Sequence, residues 1–541
     1  MKKFTMILLS VSLVFSLCGC NNSASENSSG YSGNNSNSSQ SAASDKANTS
    51  RGSTSQNGQS NSQGDTGTSE SPENPSTPLS PENPNAHEDP EKPGTPEVPA
   101  QDSDELRLIY EGGFFLNALN TCNCTENGYY SVKGLSGGGY MNLTYVDFAS
   151  RREIVLCSDS SCKHDNEKCA SYLSRDLLLS VPGVFVNGEY LYLISTEYDQ
   201  SGTTSAGEYT APGYEPPEET RRAAIFRMNL DGTDRRKIWE ADNIGDVIEE
   251  RIFADGDDIW FAAKTPAIKI YENPESEKNG AVFHYAKNRS LMRYSPSENK
   301  IVERIPLDDY NNITLDIFGA ADGRFILSGM AYPNGTSMWD HMEELAPSPN
   351  FGDRNDEGWE LRKKSDTVYF TLDPSTKEIK ETFRKNYGEL LKLNNYEYDG
   401  SRMYCIREDY SVYAVDLLTG ETREVNVPKG YRLDGFFLDK MCFTRVTEDW
   451  SDHNTYLTDL NGENMTASEY VSTVPFGNDY ELLGLSSNKA VMIYEIEKIP
   501  SVQNPGAYSI GKRKVGLISI DDLINGRANF EPIDTLKDSW D

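Results

Sequence analysis

From residue 104 to the end of the chain, hydrophobic and polar residues alternate in short runs that turn residues separate. Period-two alternation over such runs predicts β-strands, and hardly any stretch has the period of a helix. A clear example is Val184–Leu193, which is followed by Ala224–Asp234 and by a third run at Arg236–Ile238. The pattern therefore predicts an all-β domain over residues 104–541.

This unit recurs about every 40 to 70 residues, and no linker separates the copies. Seven copies can be recognised, and they begin at Gly128, Val184, Ile252, Ile317, Tyr396, Phe436 and Leu485. One copy cannot bury its own faces, whereas radial stacking of copies buries them and protects the strand edges. We predict a single β-propeller with seven blades, in a range of six to eight. Two β-sandwiches in tandem are the alternative.

The turns between the outer strands resemble those of known propeller families. Asn229–Ile238 contains an Asp-Gly-Thr turn and resembles the strand–turn–strand of the Tol-type and LDL-receptor-type propellers. Asp416–Glu421 and Asp459–Glu463 look like the same turn, and Asp373–Glu378 is a variant that lacks the glycine. The resemblance implies a propeller fold and says little about activity.

The loops of the repeats vary far more in length than the strands do. The insertion at 331–365 contains Ser337–Ala346, which we predict to be a short helix capped by Thr336 or Ser337. Variable loops on a constant scaffold are where binding residues concentrate.

The N-terminus has the features of an export signal. Lys2 and Lys3 precede the apolar run Phe4–Phe15, which is too short to span a bilayer. The run ends in Leu17-Cys18-Gly19-Cys20, which resembles the bacterial lipobox. The resemblance implies that residues 1–19 are removed as a signal peptide and that Cys20 carries a diacylglycerol anchor. An ordinary signal peptide or an N-terminal membrane anchor is the alternative.

Residues 20–103 separate this signal from the predicted propeller. They consist almost entirely of Ser, Asn, Gly, Gln, Thr, Pro and acidic residues, which cannot bury enough apolar surface to order the chain. We predict a disordered tether that averages about 50 Å as a coil. Lipobox, tether and propeller together resemble surface lipoproteins of the clostridial group. This resemblance implies a lipid anchor on the extracytoplasmic face of the cell membrane, at a Gram-positive cell surface.

The formal net charge of −33 limits the possible partners. Eleven acids and three bases belong to the tether and two lysines to the signal peptide, which leaves −27 on residues 104–541. Such acidity disfavours nucleic acid and direct adsorption to anionic lipid, because both require clustered Lys and Arg. We expect a monomer, kept soluble by charge repulsion, that binds a protein, peptide or glycan.

The densest group of reactive side chains lies in one predicted loop and comprises Cys157, Cys162, His164 and Cys169. We expect disulfides to hold an exported loop of this kind, because its compartment is oxidising. Cys122 and Cys124 are close enough in sequence to take part. A tetrahedral zinc ion is the alternative, since three thiols and one imidazole are ligands that zinc accepts. Free thiols are the third possibility.

Other motifs are assigned to the scaffold. Gly134–Gly138 fits the G-x-S-x-G pattern of serine hydrolases, but no strand–turn–helix surrounds it, so we predict a glycine-rich hairpin loop. Asp255–Asp258 is predicted to be an acidic hairpin tip rather than a calcium site. Cys405 and Cys442 occupy matching points of two repeats and are predicted to be buried. No sequence feature brings together the scattered histidines His284, His341 and His453.

Two functional classes fit this organisation. We predict a non-catalytic propeller that acts as a binding module through its loop face. The alternative is a propeller enzyme, either a lyase or a hydrolase, with its site in the central channel. Such an enzyme needs histidine, carboxylate or metal groups that converge at the starts of the inner strands.

The lipobox prediction is tested by Cys20→Ala. Without this thiol the chain cannot be acylated, so we expect the variant to leave the membrane fraction or to remain as unprocessed precursor. Cell fractionation and intact-mass measurement distinguish these outcomes, with Cys18→Ala as the matched control. Normal maturation of Cys20→Ala with unchanged membrane retention would contradict lipid attachment.

Overall fold

A computed structural model describes residues 105–111, 123–134, 140–174, 181–196, 222–271, 281–308, 310–337, 340–341, 357–393, 395–447, 454–471, 480–500 and 508–536. Within these ranges the chain is nearly all β, as predicted. Its helices there are short: α1 (Glu357–Lys364), α2 (Tyr387–Leu390), α3 (Ile520–Ile524) and a 3-10 turn at Pro333–Gly335.

The strands form seven antiparallel sheets, which are the blades of a seven-bladed propeller. The first strand, β1 (Arg107–Glu111), joins the sheet of blade 3. Blade 1 contains β2 (Gly128–Lys133), β3 (Met141–Asp147), β4 (Arg152–Val155) and β5 (Tyr172–Leu173). Blade 2 contains β6 (Val181–Asn187), β7 (Tyr190–Thr196), β8 (Ala224–Asn229) and β9 (Arg236–Glu240). Blade 3 contains β10 (Val247–Asp255), β11 (Asp258–Tyr271), β12 (Ala281–Ser295) and β13 (Lys300–Pro306).

The remaining blades repeat the four-stranded order. Blade 4 contains β14 (Asp316–Ala321), β15 (Arg324–Ala331), β16 (Asp366–Leu372) and β17 (Ile379–Asn386). Blade 5 contains β18 (Asn395–Tyr398), β19 (Arg402–Ile406), β20 (Val412–Asp416) and β21 (Thr422–Val425). Blade 6 contains β22 (Tyr431–Phe437), β23 (Lys440–Arg445), β24 (Thr455–Thr458) and β25 (Thr466–Ser468). Blade 7 contains β26 (Glu481–Leu485), β27 (Lys489–Pro500), β28 (Tyr508–Ser519) and β29 (Glu531–Pro532).

The hydrophobic core lies between the blades. Among the described residues it forms seven buried clusters, one for each pair of neighbouring blades. Adjacent residues of one strand enter different clusters, because successive side chains point to opposite faces of a sheet. Tyr404, for example, packs between blades 5 and 6, and Cys405 packs between blades 4 and 5. Cys405 and Cys442 are both fully buried, which confirms their predicted role.

Strand β1 was not predicted from the sequence. It pairs in antiparallel register with the inner strand β10, where Arg107 lies opposite Ala254, and it also contacts the inner strands β6 and β14. It therefore lies inside the ring of inner strands. Leu106 enters the cluster between blades 3 and 4, and Ile109 enters the cluster between blades 2 and 3. The beginning of the domain is thus bound on the axis side of blade 3.

The end of the chain closes the ring between blades 7 and 1. After β29, Asp534 forms a parallel bridge to β4. The side chain of Glu153, which is 1% exposed, accepts hydrogen bonds from Lys133 Nζ (2.6 Å), Thr144 Oγ1 (2.9 Å) and the Leu536 backbone N–H (3.0 Å). A buried carboxylate is tolerated when donors surround it in this way. Glu153 therefore holds the C-terminal tail on blade 1.

The acidic turn, the glycine-rich loop and the insertion all connect strands of the propeller. Asp255–Asp258 forms the tight turn between β10 and β11, where Asp258 pairs with Arg293 at 3.3 Å. Gly134–Gly138 connects two paired strands, β2 and β3, although residues 135–139 lie outside the described part. In the insertion at 331–365, Ser337 Oγ accepts a hydrogen bond from the Asp340 N–H, while residues 342–356 are also outside it.

We expect Glu153→Ala to destabilise the ring closure by about 3 kcal/mol, because the change leaves the partly exposed Lys133 ammonium, the buried Thr144 hydroxyl and a backbone N–H without their acceptor. The matched control is Glu531→Ala, whose half-exposed carboxylate makes only long ion pairs to Arg151 (3.8 Å) and Lys489 (3.7 Å). Such a surface pair contributes about 0–1 kcal/mol. Calorimetric unfolding measures both changes. Equal thermal midpoints for the two variants would contradict the role assigned to Glu153.

Candidate metal centre

The cysteine-rich loop (residues 157–169) interrupts the outer strand of blade 1. Both β4 and β5 pair with β3, so that Val155 lies opposite Thr144 and Tyr172 lies opposite Asn142. The chain between them leaves the edge of the blade and returns to it only two positions further along β3. Because both ends are fixed on one strand, the side chains of the loop are held close to one another.

The structure brings together the four reactive residues that the sequence analysis identified. One ligand atom from each of Cys157, Cys162, His164 and Cys169 lies within 4.8 Å of the others. His164 Nδ1 is 3.3 Å from Cys169 Sγ. Cys169 is buried and the other three are partly exposed. Within the described part of the chain, no other group of three or more His, Cys, Asp or Glu ligands converges in this way.

The three thiols of the loop are free rather than joined in disulfides. The convergence of the four ligand atoms is the arrangement that a metal-ligand set requires, and the expected disulfide staple stays a prediction. A disulfide would employ two of the three thiols and would leave the imidazole and the third thiol without a function.

Neighbouring polar groups fix the orientation of the cluster. His164 has a φ of 58°, in the left-handed region, which costs a residue with a side chain about 1–2 kcal/mol. Its backbone N–H donates to Cys162 Sγ (3.4 Å), and its carbonyl accepts from Asn142 Nδ2 (3.0 Å). Ser171 Oγ lies 3.0 Å from Cys169 Sγ and accepts from Asn142 Nδ2 at 3.2 Å. The sequence analysis missed Asn142 and Ser171, although a buried asparagine within an apolar strand was a usable signal.

The thiols of the cluster differ in their electrostatic environment. Burial raises the pKa of Cys169, but hydrogen bonds from Ser171 and His164 outweigh it and lower the pKa to about 6. Burial raises the pKa of Cys157 to about 11, and the neighbouring Cys169 adds to this shift although a backbone hydrogen bond opposes it. Without a cation, the surroundings therefore favour a thiolate at Cys169 and a thiol at Cys157.

Blade 2 supports the loop from the neighbouring rim. Arg235 Nη1 donates to the carbonyls of Tyr172 (2.9 Å) and Ala170 (3.4 Å). Gly232 has a φ of 79°, and a Cβ at this position would lie 3.2 Å from the Leu156 side chain. The Asp-Gly-Thr turn that was recognised in the sequence therefore packs directly against the segment that leads into the loop.

Among the site residues and histidines predicted from the sequence, Cys20, Cys122 and His453 lie outside the described part of the chain. Cys124 bridges to Tyr129 at the inner side of β2 and is buried between blades 7 and 1. His341 lies in the insertion, where it contacts Thr336. His284 lies on β12, opposite β11. Cys124, His284 and His341 therefore lie on three different blades.

Charged side chains at the inner strands of blades 3 and 4 pair with one another. Arg289 of β12 is 1% exposed, pairs with Glu249 (2.6 Å) and Asp316, and donates to the Leu315 carbonyl (2.8 Å). Burial raises the pKa of Asp316 to about 6, although the Arg289 charge acts against this shift. The network ties β10 to β14 and satisfies the charge of a buried arginine, which is a structural role.

A second pair of carboxyl groups lies between the inner strands of blades 5 and 6. Glu397 of β18 accepts a hydrogen bond from Asn395 Nδ2 (2.8 Å), and Asp434 of β22 pairs with Arg432 (2.6 Å). Burial raises the pKa of Glu397 to about 8, and repulsion from Asp434 adds to this shift. Glu397 is therefore mostly protonated at neutral pH.

Comparison with known proteins finds similarity to solved structures only. No protein family and no curated protein sequence matches this chain. Solved structures that resemble it include dipeptidyl peptidase 4 of Porphyromonas gingivalis, with 11% identity, a TM-score of 0.34 and coverage of 76% of this chain and 59% of that one. The β-propeller domain of the Trilobed protease from Pyrococcus furiosus gives 10% identity, a TM-score of 0.33 and coverage of 77% and 100%.

An oligogalacturonate lyase from Vibrio parahaemolyticus gives 12% identity, a TM-score of 0.31 and coverage of 60% and 76%. The match to the dipeptidyl peptidase covers 59% of the length of that protein, which is less than two thirds. All three TM-scores are below 0.5, so no property of these proteins is transferred to this chain.

The raised pKa of Glu397 predicts a dependence of stability on pH. A folded-state pKa above the unfolded value contributes stability that is complete below the unfolded pKa of about 4.3 and is lost as the pH rises through about 8. Glu397→Gln imitates the protonated acid, so its thermal midpoint should gain on wild type between pH 5 and pH 9. Glu424→Gln, at a surface pair with Arg407, is the control. A pH-independent difference between wild type and Glu397→Gln would contradict the prediction.

Proposed function

We propose that this chain is an extracytoplasmic lipoprotein of the clostridial surface type, anchored to the cell membrane through lipid on Cys20. Its propeller is a binding module for a protein, peptide or glycan. The lipobox-like motif supports the anchor. In the part of the chain that the structure describes, we find no helix that could span a membrane. The asymmetry between the two faces of the propeller supports the binding role.

The two faces differ in the length of their connections, and this observation carries the proposal. In a four-stranded meander, the first and third turns lie on one face and the second connection lies on the other. First turns are tight in blades 2, 3 and 4, at Gly188-Glu189, Gly256-Asp257 and Asp322-Gly323. Blade 1 is an exception, because its first connection spans residues 134–140. We call the side of the tight turns the tight-turn face. The opposite side is the long-loop face.

The long-loop face carries the variable segments of the chain. On this face the second connection of blade 2 leaves β7 at Thr196 and returns at Ala224, and that of blade 4 leaves β15 at Ala331 and returns at Asp366. In blade 3, β11 and β12 extend to 14 and 15 residues, and in blade 7, β27 and β28 extend to 12 residues each. Both long hairpins project beyond their blades on this same face. A surface built from variable segments on a fixed scaffold is typical of ligand binding.

Strand β1 relates this face to the proposed anchor. The Arg107 end of β1 lies opposite Ala254, next to the tight turn at Gly256-Asp257. The described chain therefore enters β1 from the tight-turn face. An anchor on that side would leave the long-loop face available to ligands outside the cell.

The enzyme alternative is less well supported. A channel enzyme needs free catalytic groups along the axis, whereas β1 occupies the axis side of blade 3 and Arg289 engages the carboxylates of Glu249 and Asp316. In the described chain, no metal-ligand set forms at the inner strands.

The binding role is tested by shortening the long hairpins. Residues 266–286 in blade 3 and residues 497–512 in blade 7 are each replaced by Asn-Gly, which preserves the pairs Thr265 with Lys287 and Ile496 with Arg513. Wild-type protein is first applied to arrays of glycans and of peptides. We expect at least one shortened hairpin to raise the Kd of the best array ligand by about tenfold, which corresponds to about 1.4 kcal/mol.

The matched control inserts Ser-Gly-Ser between Asp322 and Gly323 on the tight-turn face, and it should leave the Kd unchanged. Binding that is lost in this control but retained in both shortened variants would place the ligand on the tight-turn face and contradict the proposal. Absence of binding to every array component, or turnover of a component, would contradict the binding-module proposal.

A further inference from the structure

The separations within the cysteine-rich loop match those of a tetrahedral metal centre. With metal–ligand bonds of about 2.0–2.3 Å, the ligands of such a centre lie about 3.3–3.8 Å from one another. His164 Nδ1 and Cys169 Sγ are already 3.3 Å apart, and no two of the four ligand atoms are more than 4.8 Å apart. An ion at their centre requires only small side-chain movements.

The cluster also has the outer hydrogen bonds by which proteins orient metal ligands. Zinc ligands are usually held by a second layer of polar groups. Here the His164 N–H approaches Cys162 Sγ, Ser171 Oγ approaches Cys169 Sγ, and Asn142 fixes the His164 carbonyl. The left-handed backbone of His164 turns its imidazole towards Cys169. None of these features is needed by a disulfide.

The donor set determines which ion fits best. Calcium and magnesium prefer oxygen ligands, whereas thiolates and imidazole suit zinc. Three thiolates and one neutral imidazole around Zn²⁺ give the centre a net charge of −1, and the cation of Arg235 lies against the same loop. Four protein ligands fill a tetrahedral shell and leave no position for substrate, which is typical of a structural rather than a catalytic site.

We infer that Cys157, Cys162, His164 and Cys169 bind one zinc ion, which fastens the outer strand of blade 1. The ion closes the detour between β4 and β5 and holds Ala170 and Tyr172 against Arg235 of blade 2. This inference does not depend on the proposed ligand-binding function, because the site lies at the rim between blades 1 and 2.

The test begins with the metal content of the purified mature protein. We expect about one zinc ion per chain by elemental analysis, and its release when a thiol-specific reagent modifies the cysteines. Replacement by Co²⁺ should give the thiolate-to-metal charge-transfer band and the intense visible bands of a tetrahedral thiolate complex. Removal of the metal with a chelator should lower the thermal midpoint, and added zinc should restore it.

Two substitutions at one position separate metal binding from misfolding. His164→Ala removes one of four ligands and should lose most of the zinc, whereas His164→Cys supplies a fourth thiolate and should retain about one ion per chain. Ser171→Ala keeps all four ligands and should weaken zinc affinity by about 10–100-fold, because it removes an outer hydrogen bond. His341→Ala and Cys405→Ala are matched controls outside the cluster and should retain the metal.

Three results would each overturn the inference. The first is non-reduced peptide mapping that links two of Cys157, Cys162 and Cys169 in a disulfide while the protein holds no metal. The second is a metal content that does not change in His164→Ala, and the third is a chelator that removes the metal without any change in the thermal midpoint. Copper or iron at one ion per chain would keep the ligand set but refute the assignment to zinc.

Discussion

The structure depends on the burial of each blade against its two neighbours. A blade of four short strands has two apolar faces and no interior of its own, so neither face is protected until the next blade is in place. The seven clusters of the described residues show the consequence, since each cluster takes side chains from two blades. A break anywhere in the ring would expose two such faces at once.

The closing interface has the smallest of the seven clusters that the described residues form. Within this part of the chain, the cluster between blades 7 and 1 has six buried members, against fifteen in each cluster beside blade 3. The C-terminal tail and the buried carboxylate of Glu153 compensate at the rim. The richest clusters are also those that receive side chains from β1, namely Leu106 and Ile109. Both ends of the domain thus stabilise the ring, one from the axis and one from the rim.

The proposed zinc ion would also stabilise the packing between neighbouring blades, at the outer strand of blade 1. The outer strand of blade 1 is divided between β4 and β5, so it lacks the continuous ladder of hydrogen bonds that an undivided outer strand would have along β3. Four ligands from one loop would restore the missing connection. Placing the ion at the rim keeps it away from the long-loop face, where the proposed ligand would bind, and this separates the scaffold from the binding surface.

The sequence was enough to predict the all-β fold, the seven repeats, the burial of Cys405 and Cys442 and the four residues of the cysteine-rich loop, because alternation, turns and local spacing are properties of short segments. The arrangement of those four residues depends on the folded chain, since their convergence requires both ends of the loop to be fixed on β3. The folded chain also sets the position of β1, whose five residues have the same pattern as any other short strand. Glu153 and Leu536 are 383 positions apart, and no local pattern can reveal a contact that forms only when the ring closes.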